Sequence, residues 1–490
     1  MVKGRPAFPV GTVLMVASMI VAISLVVGAS TKLAYASTTF TVNSTGNATD
    51  AVVGDDVCET STSGECTLRA AIQEVNATTD PDTINFNVSG TGCVAGVCTI
   101  SPTPELPIIT QPVMINGYTQ GDGTAADPSD DATENTLAVG DNAKLKVRLD
   151  GTEAGNGLKI EADNSTVKGL VVSNWENGIS LGVDAIGNAV RGNFIGTDAS
   201  GSNLSNNIGV ALTNAPNNTI GGTTAAARNI ISGNGTWGVL ISDPDAIGNT
   251  VQGNFIGTDV TGTVNDPDGI PNSGDELGNS LNGVSIRTGA DNNTIGGTTA
   301  GAGNIISGNG YNGSDLNDAK SGVEVQFVNG DLPTGNRILS NSIYDNVKLG
   351  IDLYFTNDPP GVTDNDAAPL DTDSGPNHLQ NFPGITSARR TTRVIQGHRR
   401  RVTVIRGTLN SEATKTYNVQ FFSSPTADAS GHGEGKRFLG GKSVTTNGSG
   451  DASFIFITRK RVPRGQVVAA TATNQSTGDT SEFSQATTVS

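Results

Sequence analysis

Seven times between Gly157 and Leu353 the chain writes one short phrase: a glycine, then two apolar residues flanking a variable one. The copies are "GLKI" at Gly157, "GISL" at Gly178, "GVAL" at Gly209, "GVLI" at Gly238, "GVSI" at Gly283, "GVEV" at Gly322 and "GIDL" at Gly350. Apolar residues two apart are the period of a β-strand with one buried face. A strand this short buries nothing alone, so repeats of this kind become stable only by stacking, each adding a layer to a shared core. The intervals are 21, 31, 29, 45, 39 and 28 residues. The strand is therefore constant and the connection free in length, which predicts a parallel β-solenoid rather than a rigidly periodic array. Seven coils about 4.8 Å apart make a rod about 34 Å long.

Longer lines recur as well. "TIGG" begins at Thr219 and again at Thr294, and "GNFIGTD" occurs at Gly192–Asp198 and Gly253–Asp259. Asn and Gly crowd the segments between phrases, and both tolerate the left-handed backbone of sharp corners. They read as corner and ladder residues, and Asp198 and Asp259 as corner residues. Trp175 and Trp237, each just before a phrase, read as core or corner packing more readily than as sugar platforms.

The flanks differ from the middle. Lys3 and Arg5, an apolar stretch from about Val10 to Ala29 and "AYAS" read as a secretory signal over 1–36, cleaved after Ala36, with an uncleaved anchor as the alternative. An exported chain is disulfide-permissive. Its four cysteines are Cys58, Cys66, Cys93 and Cys98, and the sequence-near pairing, Cys58–Cys66 with Cys93–Cys98, is one of three connectivities. No histidine accompanies them, which argues against zinc. Residues 37–150 read as a cap region, 151–356 as the repeats, 357–381 as an acidic linker. Residues 382–490, with the alternating runs "RVTVIRG", "YNVQFF", "SFIFIT" and "QVVAATAT", read as a small antiparallel β-sandwich.

Charge divides the chain. The net charge is −17, yet residues 382–490 hold 15 Lys+Arg against 6 Asp+Glu, leaving 30 − 15 = 15 basic and 47 − 6 = 41 acidic residues elsewhere. Arg389, Arg390, Arg393, Arg399, Arg400, Arg401 and Arg406 are the sharpest cluster and mark an expected polyanion site. Two acidic loops stand out. Asp266, Asp268 and Asp275 surround a Gly269 turn, and Asp364, Asp366, Asp371 and Asp373 lie near the end of the rod. Closely spaced carboxylates that repel one another suit Ca²⁺, a structural cation with six to eight oxygen ligands.

"CTLRAAIQEVNA" at Cys66–Ala77 resembles the motif that opens the CSLREA-type domains of bacterial surface proteins, with Ala70 where that motif usually has Glu. "DTINFNVSG" and "ELPIITQPVMINGYTQ" resemble the lead-in of such proteins, and the repeats resemble right-handed parallel β-helices of the pectin-lyase-like fold. "GPNHLQNFPGITSA", "SGHGEGKRFLGGKSVTTNGSGDASF" and "ATATNQSTGDTSEFS" resemble the linker and C-terminal domain that accompany them. The resemblance implies an all-β chain: a right-handed parallel β-helix with an N-terminal cap and a C-terminal antiparallel β-sandwich. It leaves activity open, because that fold carries lyases, hydrolases, phage tailspikes and adhesins.

A glycoside hydrolase needs two carboxyls flanking the sugar bond. The repeats show no such pair in sequence. Arg191, Arg228, Arg287 and Arg337 stand singly, and His378, His398 and His432 lie outside the phrases; the "GHG" at Gly431–Gly433 reads as a loop. The expected function is an exported, secreted or cell-surface, non-catalytic protein of adhesin type. It would be a monomer binding extracellular or envelope polysaccharide, with no nucleic-acid partner and no membrane insertion after signal cleavage. The alternative is a polysaccharide lyase or glycoside hydrolase acting on the side of the β-helix.

Overall fold

A computed structural model describes residues 37–121, 131–152, 154–265, 276–311, 320–328, 330–355, 361–366, 371 and 373–490. The expected signal over 1–36 and the expected ligands Asp266, Asp268 and Asp275 lie outside these residues.

All seven phrases fall on one sheet, in sequence order. It is a seven-stranded parallel sheet running from Asn156–Ile160 to Ile351–Phe355. The register stacks like on like: Leu158, Ile179, Val210, Val239, Val284, Val323 and Ile351 form one column, each at most 1 % exposed. The repeated glycine has a steric cause. A Cβ added at Gly209 would meet the carbonyl oxygen of Gly238 at 2.5 Å.

Two further sheets close each coil. A nine-stranded parallel sheet runs from Thr39–Val42 to Arg337–Leu339, and another nine-stranded sheet runs from Cys93–Val94 to Ser342–Tyr344. Its strands are parallel except Cys93–Val94, which pairs antiparallel with Val97–Ile100. Each coil thus contributes three strands around one core, the geometry of a right-handed parallel β-helix. Residues 37–150 join the same construction, supplying the first strands of both nine-stranded sheets. They also supply a helix, Leu68–Ala77. Its N-cap Thr67 accepts a hydrogen bond from the Ala70 N–H, and its Leu68, Ala71, Ile72 and Val75 share the rod's core with Phe40 and Val42. It is the one α-helix among the described residues, too short to cross a membrane.

The corners are built from asparagine. Asn188, Asn218, Asn249, Asn293 and Asn336 form one ladder, each backbone N–H donating to the side-chain oxygen of the next at 2.8–3.0 Å. Asn193, Asn229, Asn254, Asn304 and Asn341 form a second. Asn206, Asn234, Asn279, Asn309 and Asn346 form a third, in which Asn206 donates through its side-chain amide and Asn234, Asn279 and Asn309 through their backbone N–H groups. All are buried. A buried amide is tolerable only when its donors and acceptors are matched. Stacking supplies most of the match, since the neighbour an asparagine needs is the same residue one coil away; the Asn249 Nδ2 alone of these side-chain nitrogens has no partner among the described residues.

Residues 384–490 form two antiparallel sheets. One contains Gly384–Ile395, His398–Asn410 and Asp451–Thr458. The other contains Arg437–Thr445, Thr416–Ser424, Val467–Asn474 and Thr487–Thr488. Their facing residues, among them Ile405, Leu409, Tyr417, Phe421 and Phe454, make a separate core. The sandwich is bonded to the last coil of the rod. Gly435 and Ile343 exchange backbone bonds at 2.7 and 3.2 Å, and Asn377, in the segment before the sandwich, accepts from the Asn336 N–H at 3.0 Å.

Candidate polyanion and cation sites

The arginine cluster lies on a single hairpin, Gly384–Ile395 paired with His398–Asn410. Gln396 and Gly397 form its turn with φ of 50° and 77°, the left-handed pair that suits a tight hairpin. Only Thr403 onward pairs with the third strand, so the distal part is a two-stranded arm. Side chains alternate faces along a strand. Ala388 opposite Ile405 faces the sandwich core, which puts Arg390 opposite Thr403, Thr392 opposite Arg401 and Val394 opposite Arg399 on the same face. Arg389, Arg393, Arg400 and Arg406 take the other. Seven residues that look like one patch in sequence are therefore two.

The core-side face receives a further contribution that the sequence reading missed. The turn 459–464 crosses it, with the Val462 N–H donating to the Thr403 hydroxyl at 3.4 Å. A cleft of about 370 Å³ results, lined by Arg390, Thr391, Thr392, Arg401 and Arg464. The Arg390 guanidinium gives up its proton more readily than usual, first through desolvation and then through its cationic neighbours Arg461, Arg464 and Arg401. The signal was present as "RKRVPR" at Arg459–Arg464. Only the topology shows that it meets the hairpin.

Of the four acids expected at the end of the rod, three come together. Asp366, Asp371 and Asp373 place carboxylate oxygens within 4.8 Å of one another, while Asp364 is exposed and outside the group. The Asp373 carboxyl is pushed up to about 7 by burial and then by Asp366 and Asp371, and its Oδ1 has no hydrogen-bond partner among the described residues. Burial also raises Asp371, although it accepts from the Ser411 hydroxyl at 2.6 Å and the Asn381 N–H at 3.1 Å. Hard oxygen donors that repel one another fit a divalent cation.

A second acidic set went unread because its members sit inside strand phrases. The variable position of the phrase is Lys159, Ser180, Ala211, Leu240, Ser285, Glu324 and Asp352 in successive coils, so Glu324 stacks directly on Asp352. Glu482 of the sandwich lies beyond them, accepting from the Leu353 and Thr363 N–H groups at 3.0 Å each. Burial and then Asp352 push Glu324 up to about 8; burial takes Asp352 to about 7 and, with Asp352 beside it, raises Glu482 well above the usual range. Arg287 and Lys348 are the cations that oppose these shifts. Glu434 accepts from the Asp345 and Asn346 N–H groups, and Asp479 from Gly335. Glu324 and Asp352 are enclosed and held by the Asn282, Ser285 and Ser321 side chains, while Glu482, Glu434 and Asp479 are engaged with backbone N–H groups. They join sandwich to rod, taking the place that a further coil's carbonyls would occupy.

The remaining expected residues are structural. Cys58 bonds to Cys66 and Cys93 to Cys98. Trp175 is 2 % exposed, and Arg287 lies over the Trp237 ring at 5.1 Å. Arg228 clamps the 137–140 segment through its carbonyls and stacks on Phe255 at 4.3 Å. The Asp198 and Asp259 carboxylates accept from N–H groups of their own turns, as corner residues do. His432 turns its Nδ1 to the Phe483 carbonyl oxygen at 2.9 Å, in a loop.

No family model matches the chain, and no curated protein does. Solved structures similar to it include two bacteriophage tailspike proteins. Tailspike protein 2 of the Escherichia coli O157:H7 bacteriophage CAB120 is 12 % identical with a TM-score of 0.25, over 84 % of this chain and 60 % of that one. The chain thus spans about three fifths of the length of that relative. Tailspike protein gp49 of the Acinetobacter baumannii bacteriophage Fri1, a capsular polysaccharide depolymerase, is 9 % identical with a TM-score of 0.17, over 82 % of this chain and 70 % of that one.

Proposed function

We propose that this chain is an exported, secreted or surface-held rod of adhesin type that binds extracellular or envelope polysaccharide without cleaving it. The observation that carries the reading is the charge division. No Asp or Glu occurs between Asp373 and Glu412, and the arginines of that stretch stand on an exposed hairpin of an otherwise acidic chain. The β-helix supplies rigidity, and Asp366, Asp371 and Asp373 hold a structural Ca²⁺ where the rod meets the sandwich. The test is retention of the full-length protein on a panel of immobilised acidic and neutral polysaccharides, with the length of the polymer followed over time. Retention with unchanged chain length supports the reading. Sustained shortening that single acidic substitutions abolish replaces it with a lyase or hydrolase on the side of the rod.

A further inference from the structure

We infer that the core-side face of the arginine hairpin is the glycan site, that Arg390, Arg401 and Arg464 bind the carboxylate or sulfate groups of an acidic sugar chain there, and that the opposite-face arginines are solvated charge. The inference rests on the proposed function and narrows it to one cleft and one ligand class. Three observations support it.

The first is convergence. Arg390 and Arg401 come from the two strands of the arm and Arg464 from the turn that crosses it, so three segments bring cations to one concavity. Arg461 stands beside them. The second is the lack of neutralisation. Among the described residues, none of these four arginines is paired with a carboxylate. Like charges gathered without a counter-charge gain from an incoming anion, and the guanidinium fork matches a planar carboxylate or a sulfate in bidentate fashion. The third is the lining. Thr392 sits among the arginines and Thr391 borders the cleft, and among the described residues no aromatic or apolar residue lines it. An unstacked nucleobase therefore has no ring to lie on, and an acyl chain has no apolar wall. A hydroxyl-rich anionic polymer is satisfied by what is there.

The opposite face carries the other four arginines of the cluster. Arg389, Arg393, Arg400 and Arg406 lie along it, with Ile455 and Ile457 on the neighbouring strand 45 % and 43 % exposed. Removing three charges from either face alters the net charge equally, which separates a site from general attraction.

The experiment compares two triple variants of the full-length protein, Arg390→Ser/Arg401→Ser/Arg464→Ser and Arg389→Ser/Arg393→Ser/Arg400→Ser, on polygalacturonate and on dextran as the neutral control. Loss of three ionic contacts predicts a fall of about tenfold or more in polygalacturonate affinity for the first variant and less than about threefold for the second. Both should melt with the wild type, since all six side chains leave the core untouched. Equal losses would overturn the inference and leave general charge attraction, with the proposed function standing. Retention on dextran but not on polygalacturonate also overturns it while keeping the proposed function. Wild-type protein that holds neither polymer removes both. Tighter retention on phosphatidylglycerol vesicles or duplex DNA than on polygalacturonate overturns the glycan assignment in favour of that partner.

Discussion

The rod and the sandwich are both β-structure, but they assign roles to side chains in different ways. In the rod a residue's environment is set by its counterpart one coil away. Asn254 sits between Asn229 and Asn304, and Val239 between Val210 and Val284, so equivalent positions are held to one shape. Parallel strands whose inner faces share one core leave those faces little room for departure. In the sandwich a residue answers to a cross-strand partner and to its own face. Arg393 can lie opposite Arg400 because that part of the arm has no third strand to satisfy. Repetition gives the rod its stiffness, and the unrepeated domain is free to specialise.

The largest expected effect breaks a ladder. The Asn254 side chain donates to the carbonyls of Ile220 and Gln252 and to Asn304, and accepts from Asn229, with no exposure. Asn254→Ala orphans buried partners in two neighbouring coils and should cost about 3–5 kcal/mol by urea denaturation. Thr416→Ala, which removes an exposed hydroxyl pair with Thr445 in the sandwich, should stay within about 0.5 kcal/mol. Similar costs at the two sites would mean that stacking does not make the rod the less forgiving region.

Next in size is pH. Glu324 titrates near 8 in the fold against an ordinary 4.5, Asp352 near 7 against 3.8 and Glu434 near 7 against 4.5. Between those limits the folded chain keeps protons that the unfolded chain has lost. Their stabilising contribution is complete below the ordinary carboxyl range and fades as pH climbs through 7 to 8. The melting temperature should therefore be higher at pH 5 than at pH 8, by an amount corresponding to a few kcal/mol, and Glu324→Gln should flatten the slope. A profile unchanged by that substitution would detach the effect from the stacked acids.

The smallest effect concerns Ca²⁺. If Asp366, Asp371 and Asp373 hold it with submillimolar affinity, about 2 mM Ca²⁺ should add about 1–2 kcal/mol, and chelator should remove the gain. Asp373→Asn should abolish that response while leaving the ladder effect in place. No shift in melting and no uptake by calorimetry would count against the site.

Much of this architecture could be read from the sequence. The seven phrases are the seven strands of one sheet, and the alternating C-terminal runs are strands of the sandwich. The other two sheets were hidden because many of their strands are two or three residues long, such as Phe194–Ile195 and Thr219–Gly221, too short for any period to declare itself. The helix Leu68–Ala77 had a readable apolar spacing at Leu68, Ala71, Ile72 and Val75, but it lay inside a segment read for its motif. Of the sites, the seven arginines were visible as a cluster; their division between faces depends on the 396–397 turn, and Arg464 is distant in sequence. Glu324 and Asp352 were concealed by the variability of their own position. A column running Lys, Ser, Ala, Leu, Ser, Glu, Asp looks like indifference until the register shows that the acids come last.

The end formed by those acids has a consequence for the size of the particle. A stack of parallel coils has no intrinsic reason to stop, and its bare last coil invites a second molecule to continue it. Here Glu434, Glu482, Asp479 and Asn377 already occupy donors of that coil. The nine strands of the longest parallel sheet make eight steps, about 38 Å at about 4.8 Å each. Residues of the chain itself take these donors, so the number of coils at that end is set within the chain.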